Sequence, residues 1–200
     1  MYSGRAVPPT KLILASASPR RAEILHNAGF AFTVVSSAID ETPIPGESAE
    51  AMVQRLADAK AELVAARSVG PAIVIAADTA VFIDNHILGK PRTTDDARHM
   101  LATLSGRTHS VITGVSLIRL PDIERRSFAE STQVQFATLT PEDFESYLAT
   151  GEPFDKAGAY AIQGQAGRYI PRIEGCYFNV VGLPLARLTH ALAELGYTNE

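Results

Sequence analysis

The sequence predicts an α/β fold built on a mixed sheet. Strand-like apolar runs alternate with capped, amphipathic helical stretches along most of the chain. One of these runs, "PAIVIAADTAVFID", is nearly continuous and reads as a central strand buried on both faces. Two long alternating segments, Thr108 to Leu120 and Arg126 to Leu139, read as antiparallel strands joined around Pro121. An antiparallel pair inside this order excludes a purely doubly wound sheet.

Residues 1–10 read as a loose tail and 11–200 as a single domain. Lys11 to Ala15 is a short buried strand. Ser18 is suited to cap the next helix, with Pro19 at its first position. That helix runs to about Ala28, with Ala22, Leu25 and Ala28 on one face, and stops at Gly29. Phe30 to Ser36 alternates as a strand does, and "DETPIPGES" is a proline-broken polar loop. Ser48 caps a helix reaching about Ala66, with Met52, Val53, Leu56 and Leu63 as its apolar stripe. Lys60 falls on that stripe, where a lysine must snorkel, pair or serve a site. After the central strand, Thr94 opens a helix to about Leu104. Thr140-Pro141 opens another that ends near Gly151. "DKAGAYAIQGQAG" is a glycine-rich loop with room for a short strand. "GCYFNVVGLPL" reads as a strand followed by a helix from Pro184, with Leu185, Leu188, Leu192 and Leu195 along one side.

The 200 residues are 46% hydrophobic and carry 18 basic and 22 acidic side chains, for a net charge of −4. That balance does not suit a nucleic-acid partner. A single cysteine, Cys176, rules out an intramolecular disulfide and any multi-cysteine metal site. No run is long and apolar enough for a membrane span, and no signal peptide is visible, so a cytoplasmic protein is expected. P-loop, dinucleotide and nucleophile-elbow motifs are absent, and the five histidines lack paired metal spacing.

Three features carry chemistry. Arg20 and Arg21 sit at the start of a helix, where the dipole is already positive. Each such mismatch costs on the order of 0.3–1 kcal/mol. An anion would remove that cost, since guanidinium forks suit phosphate oxygens and Ser16 and Ser18 add hydroxyls. Surface exposure of both arginines is the alternative. Asp78 interrupts the central apolar strand, either as a hydrogen-bonded structural acid or as a functional one. Asp40 and Glu41 follow a strand, either as solvated loop charge or as oxygen ligands. Carboxylates from separate strand ends can hold Mg2+ or take a proton from water. Lys60, Lys90 and Lys156 add cations, a mixture suited to a polyphosphate with a metal.

The stretches "LASASPRR", "DET", "RLADAKA", "AADTAV", "LGKP", "SGRTHSVITGV", "DKAGAYAIQG" and "NVVGLPL", in this order over about residues 11 to 190, resemble the Maf family of nucleoside triphosphate pyrophosphatases. The resemblance implies an elongated mixed sheet flanked by helices, with two lobes and a central cleft. It implies cleavage of a nucleoside triphosphate between the α and β phosphates, a divalent cation (Mg2+ or Mn2+), and admits a homodimer. "DKAGAYAIQG" is similar to the branch acting on dTTP and UTP, rather than the 7-methyl-GTP branch. By motif, Asp78 matches the proton acceptor, and Arg20, Thr79 and Gln163 match positions that set base preference. Ser16, Arg21, Glu41, Lys60, Lys90 and Lys156 match phosphate-, metal- or cleft-lining positions, with Glu41 and Asp78 toward the metal. Ala161 stands where glycine is common and Cys176 where serine is common. A nucleotide-binding regulator of cell division without turnover is the reading of another class.

Overall fold

The computed structural model describes residues 10–198, so the expected tail lies outside the described residues except for Thr10. In chain order the elements are β1 (Lys11–Leu14), α1 (Pro19–Asn27), β2 (Phe32–Val34), α2 (Ala49–Ala65), β3 (Ala72–Ile83) and β4 (His86–Leu88). Then come α3 (Thr94–Leu104), β5 (Thr108–Leu120), β6 (Glu124–Gln135), α4 (Pro141–Leu148), β7 (Arg172–Glu174), α5 (Tyr177–Val181) and α6 (Leu185–Glu194). The strands form one seven-stranded sheet in the order β2-β1-β3-β5-β6-β7, with β4 beside β3. β1 runs parallel to β2 and β3, and the remaining pairs are antiparallel. The mixed sheet is the predicted one.

Local chemistry starts the helices. Ser48 accepts from the Ala51 N–H at 3.1 Å, and Thr93 from the Asp96 N–H at 3.0 Å. Thr140 and Asp143 form a reciprocal capping box. Ser18 occupies the cap position of α1, but its side chain makes no capping bond. The Ser18 N–H instead donates to Ser16 Oγ at 3.2 Å, which ties the turn to the end of β1.

Three short elements differ from expectation. Residues 177–181 form helix α5 where a strand was expected. A five-residue segment is too short to show a period, and the helix turns the Asn179 side chain inward beneath β5 and β6. β4 escapes because it is three residues long. It folds back on β3 through Asp84-Asn85, both at positive φ, as a tight hairpin needs. The glycine-rich stretch forms three 3-10 turns, at Glu152–Asp155, Ala157–Ala159 and Gln165–Tyr169, and the short strand β7 comes after it.

Alternation along β3 decides what faces what. Ile73 and Ile75 pack with Leu25 of α1 and Leu188 and Leu192 of α6. Val74 and Ala76 face the other way, with Ala61 and Val64 of α2. Helix α2 lies so close to β5 that a Cβ on Gly114 would meet the Val53 backbone at 2.6 Å, so only glycine fits. Beyond the middle of β3, Val81 and Ile83 join a separate core with α3 and α4, and Ala80 joins Met52, Val53 and Leu56. Cores on either side of that midpoint make the two expected lobes.

The same strand explains where a cleft can open. β1 pairs with β3 over Ala72 to Ile75, and β4 pairs with the same edge over Val81 to Ile83. Between them, Ala76 to Ala80 have no neighbouring strand on that edge. Asp78 continues the even-numbered series toward α2, and Thr79 the odd-numbered series toward α1. The break therefore presents both faces of the sheet to one opening.

Candidate active site

A cleft of about 800 Å³ lies at this break. That falls within the range of about 300–1,000 Å³ usual for ligand sites. All ten predicted site residues line it: Ser16, Arg20, Arg21, Glu41, Lys60, Asp78, Thr79, Lys90, Lys156 and Gln163. They come from separate parts of the chain, and the sheet break brings them together.

On the α1 side, Arg21 is locked by a fork of contacts. Its Nε donates to the Gly182 carbonyl at 2.8 Å, one terminal nitrogen to Ser16 Oγ at 3.2 Å, and the other to Thr79 Oγ1 at 3.0 Å. A guanidinium has five N–H groups, so two remain for an anion. Burial lowers the Arg21 pKa, and Asp78 opposes that shift with its charge. Arg20 is half-buried, and burial lowers its pKa too, against the attraction of Asp155, which lines the cleft, and of Glu152. The two cations at the wrong end of the helix dipole thus divide the space, one fixed inward and one at the rim.

On the α2 side, Lys60 does not snorkel. Its side chain is 8% exposed, and its ammonium lies 2.6 Å from Glu41 Oε1 and 2.7 Å from Asp78 Oδ1. Burial raises the Glu41 pKa, but the Lys60 hydrogen bond and charge outweigh it, aided by Lys90 and Arg21. The net result is a carboxyl below its ordinary range. Asp40, next in sequence, is separate from this cluster. Its carboxylate accepts from the Thr42 N–H at 2.9 Å and the Thr42 hydroxyl at 2.6 Å, which shapes the loop and leaves Glu41 to enter the cleft. Lys90 and Lys156 line the far wall, Lys156 in a close ion pair with Asp155. Gln163 stands exposed at the mouth.

Two carboxylates converging on one cation are hard oxygen donors of the kind Mg2+ uses when it keeps water and phosphate ligands. Among the described residues, no group of three or more His, Cys, Asp or Glu side chains could hold a metal. A cation bound by Glu41 and Asp78 would therefore complete its shell from substrate and water.

Several contributors are invisible in the sequence. Gly182, at φ +125°, turns its carbonyl to Arg21. Tyr160 lines the cleft, and its hydroxyl lies 2.7 Å from His109 Nε2. His109 is 2% exposed, and burial pushes its pKa from the ordinary 6.5 down to about 4. Between those values the unfolded chain takes a proton that the folded chain refuses. Stability should therefore fall as pH drops from 6.5 to 4, by a total on the order of 3 kcal/mol, and level off below. Urea midpoints at pH 7 and pH 5 test this: the loss should be larger in the native chain than in His109→Gln. Equal losses would remove His109 as the cause.

Five cations and the carboxylates of Glu41 and Asp78 thus line one cleft at a break in a mixed α/β sheet. The chain belongs to the Maf-like protein family, whose model matches residues 11–195. A dTTP/UTP pyrophosphatase of Carboxydothermus hydrogenoformans is 48% identical over 187 residues, covering 94% of this chain and 100% of that protein. A dTTP/UTP pyrophosphatase of Moorella thermoacetica is 49% identical over 187 residues, covering 94% and 96%. Among solved structures, the Staphylococcus aureus Ham1 protein aligns at 15% identity with a TM-score of 0.48, covering 94% of this chain and 100% of that one.

Proposed function

We propose that this protein is a nucleoside triphosphate pyrophosphatase that hydrolyses dTTP and UTP to the monophosphate and pyrophosphate. The observation that carries this is Lys60, buried between Asp78 and Glu41 across the sheet break from the Arg21 fork. The relatives named for that activity, at 48–49% identity over 94% of the chain, support it.

In this reading Ser16, Arg21, Lys60, Lys90 and Lys156 hold phosphate oxygens, and Arg20, Thr79 and Gln163 meet the base. Glu41 and Asp78 hold Mg2+ or Mn2+, which when bound neutralises charge on phosphate oxygens. Asp78 takes a proton from a water. The water oxygen forms a bond to the α-phosphorus in line as the bond to the α–β bridging oxygen breaks. Pyrophosphate carries that bridging oxygen away, its charge met by the lysines. Lys60 occupies Asp78 Oδ1, so the proton goes to the other carboxylate oxygen, which takes no hydrogen bond from the described residues. Gln163 can both donate to and accept from a pyrimidine edge. The enzyme acts in the cytoplasm, alone or as a homodimer, on a nucleotide rather than on nucleic acid. Among the described residues no helix is long and apolar enough to cross a membrane.

The purified protein with Mg2+ should release pyrophosphate from dTTP and UTP faster than from CTP, GTP or 7-methyl-GTP. Orthophosphate as product would overturn α–β cleavage. Preference for 7-methyl-GTP would overturn the substrate assignment. Nucleotide binding without turnover would leave the regulator.

A further inference from the structure

Behind Thr79 lies a buried chain of hydroxyls whose proton directions can be worked out. The Arg21 guanidinium only donates, so Thr79 Oγ1 accepts from it at 3.0 Å. Thr79 Oγ1 and Thr113 Oγ1 are 2.9 Å apart, a contact in which either could be the donor. Thr113 Oγ1, however, also lies 3.0 Å from the Asn179 backbone carbonyl, which can only accept. A hydroxyl has one proton. Thr113 gives its own to Asn179 and must accept from Thr79. The one proton of Thr79 therefore points away from the cleft, into the sheet.

The chain is held firmly. Thr113 and Asn179 are both 0% exposed. The Asn179 side-chain amide donates to the Val111 carbonyl and to Thr132 Oγ1, each at 2.9 Å, which fixes the carbonyl that orients Thr113. On the cleft side, a Cβ on Gly182 would lie 3.5 Å from Thr79 Oγ1, so glycine leaves that oxygen uncovered. Of its two lone pairs, one receives Arg21 and one is left for a ligand.

We propose that Thr113 and Asn179 are positioning residues that fix Thr79 as a hydrogen-bond acceptor toward the cleft, so that the site favours a pyrimidine carrying a ring N–H over one carrying a bare ring nitrogen. Uracil and thymine have the N–H, and cytosine has the bare nitrogen. This rests on the proposed pyrimidine triphosphate reading and supplies a cause for its base choice. With Thr113 replaced by valine, Thr79 has no hydroxyl to donate into. Its proton can swing to the cleft and satisfy cytosine.

The test compares native protein, Thr113→Val and Thr113→Ser, using the ratio of kcat/KM for UTP over CTP and the ratio of calorimetric affinities for UMP over CMP. The native ratios should favour uracil. They should fall at least tenfold in Thr113→Val and recover in Thr113→Ser. Loss of the Asn179 carbonyl's donor lowers stability in the valine variant, but that acts on both nucleotides alike. An equal fall for both, or native ratios near one, overturns the inference. If the valine variant does not fold, Thr113→Ala gives the same reading. The monophosphate affinities report base choice without turnover. Failure of the enzyme assignment would show as absent pyrophosphate, and failure of this inference as an unchanged UMP to CMP ratio.

Discussion

Asp78→Asn should lower pyrophosphate release from dTTP on the order of 10²–10⁴-fold, the usual contribution of a positioned general base. The substitution keeps the size of the side chain and an oxygen for Lys60. Glu41, 2.6 Å from the same ammonium, keeps that cation paired. The Asp78 side chain is only 13% exposed, and a neutral amide is easier to bury than a carboxylate, so the fold should survive. What the variant loses is the ability to take a proton. Removing a negative charge beside a polyphosphate also weakens repulsion, so affinity for the nucleotide measured without divalent cation should hold or tighten, while kcat with the cation collapses. Measured kcat, nucleotide Kd and Tm separate these effects. Near-native kcat in a folded variant would remove Asp78 as the proton acceptor. Loss of nucleotide binding only when the divalent cation is present would make its main role holding the cation rather than taking the proton.

The parts of this site that were legible in the sequence are those that violate a local rule. Two arginines at the positive end of a helix, a lysine on an apolar helix face and an aspartate inside a central strand each cost free energy in isolation. Partners gathered in the cleft relieve them: Lys60 lies against Asp78 and Glu41, and Arg21 against Ser16, Thr79 and Gly182. Thr113 and Asn179 break no such rule. Thr113 shares its strand face with the buried Val111 and Val115, so alternation places it inside, but the residue 66 positions away that takes its proton cannot be read from the strand. Asp40 and Glu41 could not be told apart by type or spacing. A two-residue hydrogen bond to Thr42 separates them. The fold follows the same division. β3 is visible because burial on both faces demands a long apolar run, and β5 and β6 because long antiparallel strands alternate. β4, β7 and α5, at three, three and five residues, are too short for any period and depend on partners elsewhere.

Arg21→Lys should cost activity although it keeps the charge, because the fork is what this position uses. A lysine is a point charge on a flexible stem and cannot reproduce a planar set of donors. It cannot reach the Gly182 carbonyl, Ser16 Oγ and Thr79 Oγ1 together while leaving two N–H groups for phosphate. Hydrogen bonds to charged groups contribute roughly 1.5–3 kcal/mol each, so losing two lowers kcat/KM by about 10²–10⁴-fold. Part of the loss should appear in KM, through the missing phosphate contacts, and part in kcat, through a displaced α-phosphorus. Thr79 also loses the donor that occupies one of its lone pairs, and the Gly182 carbonyl is left without its guanidinium. Tm should therefore drop in the absence of nucleotide as well. If Arg21→Lys retains native kcat/KM, the position acts through its field alone, and the guanidinium geometry at the mouth of α1 has no part in catalysis. A loss confined to KM would place Arg21 in substrate capture and assign alignment of the reacting phosphorus to the lysines of the opposite wall.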